Sequence, residues 1–217
     1  MDPLVSFNAF TFNPFQENTY LLWDSSHNAV IIDPGCSTQG EEQALLNYIK
    51  SHQLKIKAVW LTHGHIDHIM GLGFCQIAFK CPSYLHPADE FLIHHAPETA
   101  RLYGVPFQDI QTPELFASNI PWNPFDFEVE LVHIPGHSPG SVGFYIKPHS
   151  LLFSGDVLMH ESVGRSDLPG GSWDTLQSSI KTVLYAMPDV TRILPGHGPE
   201  TSIGWEKQHN PFVHATS

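Results

Sequence analysis

The sequence predicts an α/β fold in which two β-sheets are flanked by helices. Two groups of short apolar or alternating segments predict the strands, one within residues 4–61 and one after residue 125. Segments with apolar residues at helical spacing stand between or after these strands. Because a chain of 217 residues with 41% hydrophobic residues can bury one sizeable core, we expect residues 1–217 to form a single domain.

The first predicted sheet begins with an antiparallel meander. Residues 4–12, 18–24 and 29–33 read as strands, and turn residues separate them. Residues 41–52 then place apolar side chains at helical spacing, and residues 57–61 return as a buried strand. The meander therefore leads into the order strand, helix, strand.

The central part of the chain is predicted to contain two helices. Asp67 is expected to cap a helix that runs to about Lys80. Pro87 stands at a favourable first-turn position of a further helix. The stretch from about residue 96 to residue 124 is rich in proline and polar residues, and its role is not predicted.

The second predicted sheet is formed by the C-terminal part of the chain. Residues 126–134, 141–146 and 150–154 read as three short strands. A helix with Ser172 as its N-cap follows, and residues 191–194 read as a last strand.

Composition excludes several classes of partner. The net charge is −12 with only ten Lys and Arg residues, so we expect no nucleic-acid partner. The amino terminus has no basic n-region and no apolar run approaches the roughly 20 residues of a membrane span, so we expect no membrane partner. Three cysteines, Cys36, Cys75 and Cys81, are too few and too scattered for a disulfide framework. A cytoplasmic location is the expectation that follows.

Fifteen histidines are many for this length, and imidazole is the commonest metal-ligand side chain. The run THGHIDH at residues 62–68 directly follows a predicted apolar strand. His63 and His65, two residues apart, can project to the same side, and Asp67 and His68 stand at the start of the next helix. One short loop thus offers four ligands, although Asp67 could also serve as a helix cap.

Three further candidate ligands each follow an apolar strand. They are His137 in HIPGHSPGS, Asp156 in LLFSGDVL and His197 in RILPGHGPE. A single structural zinc needs four ligands, whereas the loops of this chain offer seven. The sequence therefore predicts two metal ions.

The run HxHxDH followed in order by PGHSPGS, SGD and PGHG resembles the metallo-β-lactamase superfamily over roughly residues 15–200. This resemblance implies an αββα four-layer sandwich that holds two divalent metal ions, with zinc expected and iron or manganese as alternatives. It assigns the ligands as follows: His63, His65 and His137 to one ion, Asp67, His68 and His197 to the other, and Asp156 to both as a bridge.

Within the superfamily, the chain is most similar to glyoxalase II, and specifically to short single-domain bacterial proteins of that family. The segment VGRSDLPGGS at residues 163–172 resembles their loop after the bridging Asp156. The resemblance implies hydrolysis of a small-molecule thioester, S-D-lactoylglutathione, with Asp67 and Asp156 as catalytic residues and Arg165 facing the glutathione part. Arg165 could equally be a solvated loop arginine. β-Lactam-hydrolysing members carry a cysteine at the position of Asp156, so β-lactam cleavage is not expected.

Two alternatives remain open at the level of sequence. One is a persulfide dioxygenase, which resembles glyoxalase II but uses one iron held by two histidines and one aspartate. The other is a non-catalytic metal-binding or redox module of the same fold. The full set of seven candidate ligands favours the hydrolase over both. The oligomeric state is not predicted.

Overall fold

A computed structural model describes residues 5–116 and 122–214 of the chain. The chain divides into two compact units, Met1–Phe127 and Glu128–Ser217. That both belong to a single domain stays a prediction. Residue 4 of the first predicted strand and residues 117–121 of the central stretch lie outside the described residues.

The first unit contains a six-stranded sheet whose strands lie side by side in chain order. The first three strands pair antiparallel and the remaining pairs are parallel. Its strands are β1 (Ser6–Phe12), β2 (Glu17–Trp23), β3 (Asn28–Ile32), β4 (Lys55–Trp60), β5 (Ser83–Leu85) and β6 (Glu114–Leu115). Its helices are α1 (Gln39–Ser51), α2 (Ile66–Ile69), α3 (Leu72–Phe79) and α4 (Glu90–Tyr103), with a 3₁₀ turn at Pro87–Asp89 before α4. The predicted meander is confirmed.

Helix α1 is the crossover that lets β3 and β4 pair in parallel. It begins with a capping box: the Glu41 backbone N–H donates to the Thr38 hydroxyl, and the Thr38 N–H donates to the Glu41 carboxylate. Leu45 and Ile49 bury its apolar face in the core of the first unit. The ends of β3 and β4 are thereby set next to each other, with the pair Ile32 and Trp60 in register.

The predicted helix from Asp67 to Lys80 is wrong in its start and its continuity. His65, in extended conformation, is the N-cap of α2, and Asp67 lies inside the first turn. The chain breaks between α2 and α3 at Gly71, whose N–H donates to the Pro34 carbonyl at 2.8 Å. A contact with a distant loop therefore ends α2 after a single turn, which helical spacing could not predict.

The second unit contains a five-stranded sheet in the order β13-β12-β9-β8-β7 and a separate hairpin. The sheet strands are β7 (Glu130–His133), β8 (Val142–Ile146), β9 (Leu151–Gly155), β12 (Arg192–Pro195) and β13 (Thr201–Ser202), and the hairpin strands are β10 (Leu158–Met159) and β11 (Ser162–Val163). Its helices are α5 (Trp173–Ser179), which continues as a π-helical turn over Ile180–Leu184, and α6 (Ile203–His209). Ser172 caps α5 as predicted, since its hydroxyl accepts the Thr175 N–H.

The strand predicted at residues 126–134 is shorter than expected. Asn123 explains the late start, because its side chain accepts the Phe125 N–H and donates to the Phe127 carbonyl. These bonds hold the backbone in a turn where the alternating pattern predicted a strand. Among the residues that the structure describes, no helix is both long enough and apolar enough to cross a bilayer.

Candidate metal centre

The loop after β4 brings three imidazole rings together within the first unit. The ring centroids of His63 and His65 lie 4.8 Å apart, and those of His63 and His68 lie 4.1 Å apart. His63 and His68 are buried, whereas His65 is partly exposed. The loop therefore places the three histidines of HxHxDH close together within the first unit.

Asp67 lies beside this group. One of its carboxylate oxygens is 3.7 Å from His68 Nε2. Its backbone carbonyl accepts a hydrogen bond from the Asn13 side chain, which also donates to the Gly35 carbonyl. The turn between β1 and β2 therefore holds the start of α2 in place.

Asp33 is a buried carboxylate of this group that was not predicted from the sequence. Its Oδ1 accepts the Thr62 N–H at 2.7 Å, and its Oδ2 accepts the Thr62 hydroxyl at 2.6 Å. The same Oδ2 lies 3.0 Å from His68 Nδ1. A carboxylate that accepts Nδ1–H leaves the Nε2 lone pair of that imidazole for a metal. Asp33 ends an apolar strand before Pro-Gly, and this strand-end position was the signal that could have found it.

Glu17 is a second buried carboxyl in the first unit. The Thr19 hydroxyl donates to its Oε2 at 2.9 Å, and the Gly35 N–H donates to that hydroxyl. Burial raises the pKa of Glu17 well above its usual value, against the lowering effect of His68. In the metal-free protein Glu17 is therefore held in its neutral form at pH values where an exposed glutamate is ionised.

The second unit places Asp156 between two histidines. The same Asp156 oxygen, Oδ2, lies 3.5 Å from His137 Nε2 and 3.4 Å from His197 Nε2. His137 and Asp156 are buried, and His197 is partly exposed. His137 follows β7, Asp156 follows β9 and His197 follows β12. Three residues that are far apart in the sequence therefore converge.

Arg165 contributes to this group through its backbone. The Arg165 carbonyl accepts the Nδ1–H of His137 at 2.7 Å, which leaves His137 Nε2 as the side with the lone pair. Gly164 permits this approach: a Cβ on it would overlap the Asp156 carbonyl oxygen and come within 2.8 Å of His137 Nδ1. The resemblance assigned a role only to the Arg165 side chain, whereas its backbone carbonyl is what contacts His137.

The Arg165 side chain is held by an aspartate. Its Nε and Nη2 donate to the two carboxylate oxygens of Asp167, each at 2.9 Å. The Arg165 side chain is 65% exposed and that of Asp167 is 71% exposed. The guanidinium lowers the pKa of Asp167, so the aspartate is ionised and competes with any anionic ligand for Arg165.

The donor chemistry fits divalent metal ions. Imidazole nitrogens and carboxylate oxygens are the ligands of borderline cations such as zinc, and iron also accepts this set. In the first unit, two such donors lie side by side, since the ring centroids of His63 and His68 are 4.1 Å apart. Because Asp33 and the Arg165 carbonyl each take a histidine Nδ1, they orient His68 and His137 for ligation through Nε2.

The chain belongs to the metallo-β-lactamase superfamily, whose family profile matches residues 12–197. It is similar to the hydroxyacylglutathione hydrolase GloC of Haemophilus influenzae, with 38% identity over 94% of this chain and 95% of that protein. The resemblance to the metallo-β-lactamase superfamily and the α/β fold of that type, both predicted from the sequence, are confirmed. Membership supports a metal-dependent hydrolase, as the site chemistry also indicates.

Two solved structures are similar in both sequence and fold. The BLEG-1 B3 metallo-beta-lactamase is 36% identical with a TM-score of 0.87, covering 98% of this chain and 100% of that one. The protein TTHA1623, crystallised in a di-iron-bound form, is 38% identical with a TM-score of 0.82, covering 95% and 100%. GloC is named a hydroxyacylglutathione hydrolase and BLEG-1 a B3 metallo-beta-lactamase, so these names do not establish the substrate of this chain.

We predict that Gly164→Ala weakens metal binding by about 10- to 100-fold, the range typical for lost support of a metal ligand. The added methyl group would push the Arg165 carbonyl away from His137 Nδ1 and displace Asp156. Competition with a chromophoric chelator measures the change. Ser166→Ala, two residues along the same loop, is the control and should bind metal as the parent does. Equal affinities of parent and Gly164→Ala would contradict this account of the loop.

We predict that Glu17→Gln stabilises the metal-free protein at pH 8 relative to the parent. Because burial raises the folded-state pKa of Glu17, its contribution to stability is complete below the unfolded-state pKa and is lost as pH rises towards the folded-state pKa. The difference in Tm between variant and parent should therefore grow from pH 4 to pH 8. Glu98→Gln on the exposed surface of α4 should show no such trend. A Tm difference that does not vary with pH would show that Glu17 does not titrate in this way.

Proposed function

We propose that the protein is a dinuclear-metal thioester hydrolase that converts S-D-lactoylglutathione to D-lactate and glutathione. The ligands proposed for the two divalent ions are His63, His65 and His137 for one, Asp67, His68 and His197 for the other, and Asp156 for both. Zinc is the metal we expect, with iron or manganese as alternatives. The substrate is a small molecule, and we expect neither nucleic acid nor membrane as a partner and a cytoplasmic location.

The observation that carries the proposal is the position of Asp156. One carboxylate oxygen faces Nε2 of both His137 and His197, the two histidines that the family pattern assigns to different ions. A carboxylate shared between two cations offsets their mutual repulsion and belongs to both coordination spheres. These two histidines and one aspartate would also fit a single iron, so the four further candidate ligands of the HxHxDH loop are what favour a two-metal hydrolase.

The chain's own residues have defined tasks in this proposal. Divalent ions held by these ligands supply Lewis acidity, which polarises the thioester carbonyl and makes water a stronger nucleophile near neutral pH. Asp67 accepts a hydrogen bond from the attacking water and orients it. Asp33 and the Arg165 carbonyl keep His68 and His137 in the tautomer that presents Nε2. The departing thiolate is a fair leaving group near neutral pH, so a dedicated general acid is not required.

The choice of thioester as substrate is supported by the similarity to GloC, named a hydroxyacylglutathione hydrolase, along nearly the whole chain. The segment around Arg165 supports it further, because an exposed guanidinium is available to a glutathione carboxylate. Arg165 first has to exchange Asp167 for the substrate carboxylate. That exchange replaces one ion pair by another, so the net gain from this contact is small.

A β-lactam is the second candidate substrate, because BLEG-1, at 36% identity, is named a B3 metallo-beta-lactamase. We predict that the metal-loaded protein hydrolyses S-D-lactoylglutathione and shows no meaningful cleavage of the β-lactam nitrocefin.

Elemental analysis should find two ions per chain. Asp156→Ala should lose turnover and bind both ions more weakly, because the shared carboxylate is removed.

Three results would contradict this assignment. Turnover of nitrocefin equal to or better than that of the thioester would make the protein a β-lactamase. Oxygen uptake with glutathione persulfide, together with a single iron, would make it a persulfide dioxygenase. Metal binding without turnover of any of these substrates would favour a non-catalytic module.

We predict that Arg165→Ala raises KM for S-D-lactoylglutathione by roughly two- to fivefold, as expected for an exposed ion pair. kcat should change little, because the contact is remote from the reacting carbonyl and similar in ground and transition states. Metal content should be unchanged, since the backbone carbonyl that holds His137 remains. Asp167→Ala is the matched variant and should lower KM by releasing the guanidinium. If neither variant changes KM, Arg165 is a solvated loop arginine.

A further inference from the structure

A second buried carboxylate stands against the metal-binding loop of the first unit, on a different element from Asp33. Asp89 ends the 3₁₀ turn that precedes α4 and is completely buried. It occupies the N-cap position of α4, yet its side chain makes no capping hydrogen bond with that helix. Its Oδ2 instead accepts the N–H of Gly64, at 3.0 Å. An aspartate at an N-cap usually stabilises its own helix, so this orientation requires another explanation.

Gly64 separates His63 from His65, and the start of α4 packs directly on it. A Cβ at residue 64 would lie 2.9 Å from the Leu92 Cβ and 3.2 Å from the Asp89 carbonyl oxygen. No side chain fits there without moving α4. The hydrogen bond from Gly64 to Asp89 is thus part of a close contact between the backbone of the loop and the first turns of the segment 87–92.

Two carboxylates therefore hold the loop at alternate residues. Asp33 accepts the N–H of Thr62 at 2.7 Å, and Asp89 accepts the N–H of Gly64 at 3.0 Å. In extended backbone, residues two apart project their side chains to the same side. The Leu61–Thr62 and His63–Gly64 peptide groups are held in this way, and the ring centroids of His63 and His65 lie 4.8 Å apart.

We infer that Asp89 is a positioning residue for the proposed metal centre, which holds the His63–Gly64–His65 backbone in the conformation needed for ligation. The inference rests on the proposed function, because His63 and His65 are metal ligands only within it. A carboxylate suits this position better than an amide. It makes a charge-assisted hydrogen bond to Gly64, and its negative charge favours cations held by the neighbouring histidines.

Three variants in the full-length protein test this inference. Asp89→Ala removes the acceptor, Asp89→Asn keeps an acceptor of the same shape without the charge, and Glu90→Gln removes the same charge from the next residue. Glu90 is the matched control because its side chain is 45% exposed and its Oε1 lies 3.9 Å from His94 Nε2 on the same helix. Zinc affinity is measured by chelator competition below the Tm of each metal-free variant, and exchange of the Gly64 amide is followed by NMR.

Asp89→Ala should weaken zinc binding by about 10- to 100-fold, and Asp89→Asn by a smaller factor, while Glu90→Gln should stay within twofold of the parent. Exchange of the Gly64 amide should accelerate in the metal-free Asp89→Ala protein. A merely structural role would lower Tm without changing the zinc affinity of the folded protein. If Asp89→Ala does not fold, unchanged affinity in Asp89→Asn together with unchanged Gly64 exchange overturns the inference. Failure of the parent to bind zinc would instead refute the proposed function, and Gly64 exchange would still test the contact.

Discussion

The hydrogen bonds to the Asp33 carboxylate are the constraint on which the histidine group of the first unit depends. Its two oxygens take the backbone N–H and hydroxyl of Thr62 and approach His68 Nδ1. They connect the end of β3 to the loop after β4 and to α2, so the positions of the adjacent strand ends and of the histidine loop are fixed relative to each other. A buried carboxylate is costly unless its oxygens are used in this way. The contacts with Thr62 and His68 therefore offset the cost of burying Asp33.

In the second unit, a backbone atom orients the imidazole ring of His137. A carbonyl, that of Arg165, takes the role for His137 that a carboxylate takes for His68. The side chain of Arg165 remains directed to Asp167 at the surface. One residue can thus orient a ligand through its backbone and meet a substrate through its side chain. Substitution at residue 165 separates these two effects, because only the side chain is changed.

Acidic groups are concentrated in the interior of the first unit near its histidines. Glu17, Asp33 and Asp89 are buried, and the pKa of Glu17 is raised by that burial. Most buried charges are paired or neutralised. Here the raised pKa of Glu17 favours its neutral form in the metal-free protein, while Asp33 and Asp89 accept hydrogen bonds from the loop that carries His63 and His65. The carboxylates of Asp33 and Asp89 place negative charge beside this loop, which favours cations there.

The sequence by itself determined the family, the alternation of strands and helices, and the residue types of the seven candidate ligands. Each of these follows from motifs or from the spacing of residues within short segments. The short strands β5 and β6, the break at Gly71 and the position of Asp67 inside α2 were decided by tertiary contacts that have no period in the sequence. The same holds for Asp33 and Asp89, which lie 29 and 25 residues from the loop residues they accept hydrogen bonds from. Hydrogen bonds over such separations form only when strands and helices have packed, so the tertiary structure alone reveals what orients the ligands.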